Sequence, residues 1–354
     1  MAIANCKLQM GSAVVGLLAT LLYFTTEIHP AQAEPTPEQK KVDQAIVKAL
    51  DFLARQQQPS GAWKADNYGE MTSITSLSIM AYLASGHVPG EGPYSDSMQR
   101  GLRWVLSHQQ RNGLIVHQSS HGPMYCHGIS TLMLAEVIGM VPKEEAKPLR
   151  EALERAVKLI LDSQNLQKPR DQAGGWRYQP SSRDSDLSVT GWQLLALRAA
   201  KNVGCDVPAE NIDRAVEYVR NCSSRGNRGF CYQPGGSPSP VMTGTGILAL
   251  EICGQHHAPE SLGGADFLLA SPVRYQQPHF FYGAYYCGVG MFQIGGRHWE
   301  QSRDNLRLVL LPKQANDGSW VAEDEERGVG RPYATSMAVL SLAVEYQFLP
   351  IYQR

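Results

Sequence analysis

The sequence lacks an excess of charge of either sign. Its 354 residues include 32 lysines and arginines against 33 aspartates and glutamates, which gives a formal net charge of −1. Both signs are mixed along the chain, apart from short clusters such as Glu323 to Glu326. A chain without a basic surface has no electrostatic means of attracting nucleic acid or an anionic membrane. We therefore expect neither as a partner.

Stretches that alternate between polar and apolar residues, as half-buried strands do, are also missing. No break in composition marks a boundary between two domains, although a chain of this length could bury one large core or two ordinary ones. We therefore expect one all-helical domain spanning residues 34–354.

Long apolar runs are absent after the N-terminal segment. Lys7 precedes the apolar stretch Met10 to Phe24, and Ala31-Gln32-Ala33 then offers the small-x-small pattern of a cleavage site. The stretch is short for a membrane span. We predict that residues 1–33 are an export signal, with an uncleaved anchor helix as the alternative. The mature chain would then be periplasmic or extracellular and would have no integral membrane domain.

Six cysteines remain after the predicted signal, and an oxidising compartment would permit disulfide bonds between them. Cys222 and Cys231 flank a short Ser/Gly/Arg loop and are the best candidates for a pair. The others lie in apolar helical segments, where a buried free thiol is the commoner state; they are Cys126, Cys205, Cys253 and Cys287.

A repeated turn follows several amphipathic helices. Its pattern is Gln-x-x-x-Gly-x-apolar, as in Gln57 to Trp63 and Gln314 to Trp320. Glycine permits a helix to stop with positive φ, the aromatic ring packs the turn, and the glutamine amide can reach the last carbonyls of its own helix. These are scaffold roles.

A second helix, apolar nearly all round, follows each turn; Gly128–Val137 and Tyr285–Ile294 are two of the six segments. Such a helix must be covered on every side, and the period of about 50 residues is typical of helical-hairpin arrays. Six pairs can close on themselves, with the apolar helices inside. The sequence therefore predicts an α/α toroid, an α6/α6 barrel of about six helical hairpins.

The Gln-x-x-x-Gly-x-Trp turns resemble the QW motif of squalene and oxidosqualene cyclases. The hairpin pattern is also similar to the β subunits of protein prenyltransferases, and most of all to bacterial exported proteins with prenyltransferase/squalene-oxidase repeats. Two segments carry that last resemblance, Met124 to Leu132 and Asp186 to Leu194. The resemblance covers the mature chain and implies the toroid, which hosts enzymes and binding proteins alike.

The catalytic motifs of these families are incomplete here. Class II terpene cyclases protonate an alkene with Asp-x-Asp-Asp, and the similar segment is Asp184-Ser185-Asp186-Leu187, in which Leu187 replaces the last aspartate. Asp186 also fits the N-cap of the following helix, which would lower its pKa. Full-length triterpene cyclases also place their cavity between two toroids, whereas we expect one toroid from this sequence. The Asp-x-Cys zinc motif of prenyltransferases is absent from the sequence.

A short segment before the second inner helix contains donors that suit zinc, with His-x-x-x-His followed by Cys-His. Its spacing matches no strict zinc-binding motif, so we predict neither a metal nor a cofactor. The four candidate ligands are His117, His121, Cys126 and His127.

The starts of the inner helices meet at one mouth of the predicted barrel. Aromatic side chains with polar tips there suit an apolar or isoprenoid-like ligand, although they also suit ordinary packing. The candidate binding residues are Tyr125, Trp192, Tyr282, Tyr285, Tyr286 and Tyr333.

Three functions remain open. The first is a non-catalytic binding or scaffold protein. The second is an isoprenoid or terpenoid cyclase- or transferase-like enzyme, with Asp184 or Asp186 as acid and His127 as an orienting or basic group. The third is a carbohydrate-active α6/α6 enzyme, which would need a pair of carboxylates in a cleft.

Overall fold

The computed structural model describes residues 36–353, and the predicted signal segment 1–33 lies outside them. Twelve α-helices alternate along this part of the chain between an outer and an inner set. The outer helices are α1 (Pro37–Gln56), α3 (Ser95–Ser107), α5 (Lys143–Gln164), α7 (Ala209–Asn221), α9 (Pro259–Ala270) and α11 (Gly296–Leu310). The inner helices are α2 (Thr72–Ala84), α4 (Pro123–Val137), α6 (Leu187–Asn202), α8 (Pro240–Ile252), α10 (Phe280–Ile294) and α12 (Arg331–Leu342).

The remaining elements are short. The strands β1 (Lys64–Ala65) and β2 (Gly69–Glu70) form one antiparallel pair, and β3 (Phe230–Cys231) and β4 (Pro238–Ser239) form another. Five 3₁₀ helices cover Arg170–Gln172, Leu311–Lys313, Glu325–Val329, Val344–Tyr346 and Pro350–Tyr352. Within residues 36–353, no helix is both long enough and apolar enough to cross a membrane.

The two helix sets bury different amounts of their surface, as the sequence pattern predicts. All thirteen residues of α2 are buried, including its serines and threonines, whereas α1 buries a single stripe that runs from Val42 to Leu53. Each inner helix contacts the next one, and α12 contacts α2. The prediction of an α/α toroid of six hairpins is confirmed.

The tryptophan of the repeated turn binds both helices of its own hairpin. The indole Nε1 of Trp63 donates to the carbonyl of Leu53 at 2.7 Å, and its backbone N–H donates to Thr75 Oγ1 at 3.0 Å. Trp176 and Trp320 make the same two kinds of contact.

The glutamine of the turn has a different role from the predicted helix cap. Gln57 Nε2 donates to the carbonyl of Gly61 in the turn and to that of Ser97 in the next outer helix, at 2.8 Å each. The amide therefore connects neighbouring hairpins. The prediction was wrong about the acceptor because that carbonyl lies 40 residues further along the chain.

The same link closes the ring. Gln314 Nε2 donates to the carbonyl of Gly318 at 2.9 Å and to that of Ala45, in α1, at 2.8 Å. Gly318 has a φ of +92°, and a Cβ at this position would collide with the carbonyl of Lys48. Only glycine lets this turn reach the first helix, so the last hairpin packs directly on the first.

The C-terminal segment covers the end of the barrel where the inner helices finish. The Tyr352 hydroxyl bonds to that of Tyr285, and Gln293 Nε2 donates to the Tyr352 carbonyl at 3.0 Å. The backbone N–H of Ile351 donates to Glu136 at 3.2 Å. The opposite end, where the inner helices begin, contains the candidate site.

Candidate functional site

A cavity of about 550 Å³ lies at the end of the barrel where the inner helices begin, a size typical of small-molecule sites. Its deeper wall is apolar and includes Ile74, Leu77, Ile129, Trp192 and Val241, each of them buried. Eight other lining residues are polar or charged: Ser73, Ser120, His121, Arg177, Ser188, His279, Glu325 and Glu326.

Six tyrosines line the cavity, and each hairpin contributes one. They are Tyr68, Tyr125, Tyr178, Tyr232, Tyr282 and Tyr333. Several of their hydroxyls are bonded to one another or to α6: Tyr178 pairs with Tyr232 and Tyr125 with Ser188 Oγ, both at 2.5 Å. The Tyr282 hydroxyl donates to the Ser188 carbonyl at 3.2 Å. These contacts hold four of the six tyrosines, and we call the whole set of six around the cavity the tyrosine collar.

Four of the six predicted ligand-binding side chains line the cavity, namely Tyr125, Trp192, Tyr282 and Tyr333. The other two belong to the packed core. Tyr285 stacks on Trp192 with ring centroids 5.4 Å apart, and Tyr286 packs edge-on against the same indole at 5.2 Å. Both are fully buried, and the structure places them behind the cavity wall.

Three of the collar tyrosines are absent from the sequence-based prediction. Tyr178 and Tyr232 each stand two residues after the aromatic residue of a repeated turn, Trp176 and Phe230. An alignment of the repeated turns would have revealed this two-residue spacing. Tyr68 lies in the β1–β2 connection, where no such spacing exists.

Asp186 is the N-cap of α6, as predicted. Its Oδ1 accepts from the Val189 backbone N–H at 2.8 Å, while Oδ2 has no hydrogen-bond partner and lies 3.8 Å from Arg177 Nε. Burial raises the pKa of this carboxyl to about 6, and the Val189 N–H and Arg177 oppose the shift. The predicted lowering of its pKa is therefore wrong, because desolvation outweighs the cap.

Neither candidate acid lines the cavity. Asp184 has a side chain that is 52% exposed, and its Oδ2 accepts from Arg177 Nη1 at 2.9 Å. Asp186 is fully buried and lies on the other side of the same guanidinium. Arg177 itself lines the cavity, with its Cζ 4.9 Å from the centroid of the Tyr178 ring.

His127 occupies a scaffold position. Its Nδ1 accepts from the Ile115 backbone N–H at 3.1 Å, and its Nε2 lies 3.1 Å from the Ala156 carbonyl. The contact to Ile115 matches the one that Thr75 makes with Trp63 in the first hairpin. Burial lowers the pKa of His127 to about 4, so the ring is neutral and both nitrogens have partners.

The four candidate metal ligands do not form one group. His117 packs against Trp104 and His108, with its ring 5.5 and 4.5 Å from theirs, whereas His121 is exposed at the cavity rim. The thiol of Cys126 donates to the Gln118 carbonyl at 3.2 Å, and burial raises its pKa, which disfavours the thiolate that binds zinc. Residues 36–353 contain no cluster of three or more such donors suited to a metal.

Two glutamates that line the cavity come from the acidic cluster of the sequence. Glu326 accepts from the backbone N–H groups of Phe281 at 2.8 Å and Tyr282 at 3.1 Å, and from the Tyr333 hydroxyl at 2.6 Å. It therefore satisfies free N–H groups at the start of α10. Burial raises its pKa to about 7. Glu325 is exposed, and its Oε2 lies 3.3 Å from His279 Nε2.

The described cysteines are unbridged, including Cys222 and Cys231, the pair that the sequence favours. The backbone N–H of Cys231 donates to the Cys222 carbonyl at 2.8 Å, so the two residues are neighbours. Burial raises the pKa of both thiols.

Comparison with known proteins identifies the fold. No protein-family profile matches the chain. A dammaradiene synthase of Dryopteris crassirhizoma is 29% identical over 181 residues, which are 47% of this chain. The matched region covers 24% of the synthase, so the chain aligns with about a quarter of that protein.

Two kinds of solved structure share the architecture. An inactive variant of an α-1,6-mannanase from Salegentibacter sp. HEL1_6, in complex with α-1,6-mannotriose, has a TM-score of 0.63 at 9% identity. The alignment covers 87% of this chain and 99% of the mannanase. A type II terpene cyclase from Scytonema, in complex with geranylgeranyl dihydroxybenzoate, has a TM-score of 0.58 at 14% identity, with 89% and 99% covered. The chain therefore shares the α/α toroid fold of both structures.

Proposed function

We propose that the protein binds an apolar, isoprenoid-like ligand in the cavity at the mouth of the barrel. The observation that carries the proposal is the lining itself, in which buried aliphatic side chains form the depth and the tyrosine collar forms the rim. Such a lining favours a ligand with an apolar body. The Scytonema cyclase has been solved with geranylgeranyl dihydroxybenzoate and with merosterolic acid A, which supports the choice of an isoprenoid.

A titration with geranylgeraniol, followed by tryptophan fluorescence, tests the proposal because Trp192 lines the cavity. Ile129→Phe places a larger side chain in the wall, and we expect it to weaken binding at least tenfold. Leu308→Phe is the matched control, since Leu308 is 74% exposed on α11. Circular dichroism must show both variants folded. Equal binding by the two variants, or no binding by the wild type, would refute the proposal.

A second candidate, weaker because Asp186 lies outside the cavity lining, is acid catalysis on such a ligand by this residue. The favouring observation is its raised pKa of about 6 together with the unpartnered Oδ2, because a general acid must hold its proton near neutral pH. Asp186→Asn retains the N-cap and removes the acid. Cyclised products from the wild type, absent from this variant, would establish the activity. Unchanged geranylgeraniol with both proteins would leave ligand binding as the function.

The carbohydrate-active alternative has less support. Its carboxylate pair would have to be Glu325 and Glu326, which line the cavity. Both oxygens of Glu326 are already engaged by Tyr282, Tyr333 and Phe281. The Glu326 carboxylate therefore stabilises the start of α10, which is why it gives little support to a catalytic pair.

The export of the mature chain is part of the same proposal. Residues 1–33 would act as the signal and residues 34–354 as the single mature domain. Expression of the full chain in a bacterium, followed by N-terminal sequencing of the periplasmic fraction, tests this. A first residue of Glu34 is expected, and an intact N-terminus in the membrane fraction would favour the anchor instead.

A further inference from the structure

Negatively charged groups outnumber positively charged groups around the cavity. Among the cavity-lining residues within 36–353, Arg177 is the single arginine or lysine. Its guanidinium is 2.9 Å from an Asp184 carboxylate oxygen and 3.8 Å from one of Asp186. Two carboxylates therefore offset its one charge, and little attraction remains for an anion that enters the cavity.

The lining itself adds two more carboxylates. Glu326 shares its negative charge with the first N–H groups of α10, so Glu325, at the exposed rim, has the charge that is more available to a ligand. His279 and His121 also line the cavity, and His279 Nε2 lies 3.3 Å from Glu325 Oε2. The two lining glutamates and the two aspartates that flank Arg177 therefore outnumber the single lining arginine.

The tyrosine collar suits a cation for an independent reason. Aromatic faces attract cations through the ring quadrupole, and aromatic cages recognise quaternary ammonium groups in this way. The collar already holds one cation, since Arg177 Cζ lies 4.9 Å from the ring centroid of Tyr178 and 5.8 Å from that of Tyr232. Arg177 occupies one side of the collar, and the other four tyrosines come from the remaining hairpins.

We infer that the cavity selects an amphiphile with a cationic, amine or ammonium head group, which the tyrosine collar and Glu325 bind while the apolar wall holds the tail. This inference rests on the proposed function, because it assigns the head group of the same ligand. It disfavours phosphorylated isoprenoids, whose anionic head would meet an excess of carboxylates and a fully offset arginine.

Three ligands with one tail separate the inference from the proposal: geranylgeraniol, geranylgeranylamine and geranylgeranyl phosphate. Each is titrated into the full chain at pH 8, below its micellar concentration. We expect the amine to bind at least tenfold more tightly than the alcohol and the phosphate more weakly than the alcohol. We also expect added salt to reduce the advantage of the amine.

The outcomes distinguish the two claims. Similar affinities for all three ligands would overturn the head-group inference while the proposed function stands. Tightest binding of the phosphate would do the same. No binding of any of them would overturn the proposed function.

A matched pair of variants tests the role of Glu325. Glu325→Gln removes the rim charge and should lower the ratio of amine affinity to alcohol affinity at least threefold. Glu323→Gln removes an exposed charge from the same segment without touching the lining, and it should bind all three ligands as the wild type does. An unchanged amine-to-alcohol ratio in Glu325→Gln would contradict the inference.

Discussion

At the scale of single residues, burial of carboxyl groups dominates the electrostatics of this protein. Glu136, on α4, is buried at the end of the barrel that the C-terminal segment covers, and it accepts from the Ile351 backbone N–H. Burial raises its pKa from the ordinary 4.5 to about 8, and the Ile351 N–H opposes the shift. The folded protein therefore holds this proton at neutral pH, whereas the unfolded chain has released it.

The proton on Glu136 makes stability depend on pH. The contribution of protonated Glu136 to the free energy of unfolding is fully present below pH 4.5 and is lost as the pH rises to about 8. The loss amounts to at most about 5 kcal/mol. Glu136→Gln retains an acceptor for Ile351 and cannot ionise, so its melting temperature should fall less between pH 5 and pH 8 than that of the wild type.

Thermal unfolding at several pH values checks this prediction. Glu154→Gln is the control, because Glu154 lies exposed on α5, and it should keep the pH dependence of the wild type. If Glu136→Gln and the wild type show the same slope, the proton on Glu136 does not contribute as described.

The sequence was also least informative about the roles of single residues. His127 suggested catalysis or metal binding because imidazole is versatile, yet both of its nitrogens contact the backbone. The position is one where Thr75, Thr190, Thr243 and Thr335 stand in other hairpins. A histidine that replaces a threonine in a repeat could have been recognised as scaffold by aligning the repeats.

At the scale of elements, the apolar periodicity of the sequence predicted all six hairpins but placed some helix starts too late. The segments predicted as Gly128–Val137 and Tyr285–Ile294 begin at Pro123 and Phe280. The missing first turns are residues 123–127 and 280–284, and each contains one tyrosine. These turns contribute Tyr125 and Tyr282 to the cavity, so the part of the helix hardest to predict is the part that forms the site.

The glutamine of each repeated turn is the link between neighbouring hairpins. Gln314→Ala removes two hydrogen bonds, to the carbonyls of Gly318 and Ala45. We expect a loss of about 1 to 3 kcal/mol in the free energy of unfolding. Chemical denaturation measures it.

Gln110→Ala is the matched control for this prediction, since Gln110 is exposed beside Gln109, the linking glutamine of the second turn. It should change the free energy by less than about 0.5 kcal/mol. Equal effects of Gln314→Ala and Gln110→Ala would show that the link to the first hairpin does not stabilise the ring.

At the scale of the whole molecule, closure follows from the need to cover six apolar helices. An open array would leave the outer faces of α2 and α12 exposed, whereas here the two helices contact each other. The closed ring was predictable from the sequence, because the apolar composition of the inner helices and their repeat period determine how these helices must be buried. The charge around the cavity was not predictable, since Glu325 of the sixth hairpin lies at the same mouth as Arg177 and its partner Asp184 of the third.

The central claim is that the closed ring holds an apolar ligand at its mouth, and photo-crosslinking tests it most directly. A diazirine analogue of geranylgeraniol is bound to the full chain and irradiated, and the modified peptides are mapped by mass spectrometry. The account predicts adducts on peptides that contain Ile74, Ile129 and Trp192, which unlabelled geranylgeraniol prevents. Adducts confined to the outer helices, or unaffected by that competitor, would contradict it.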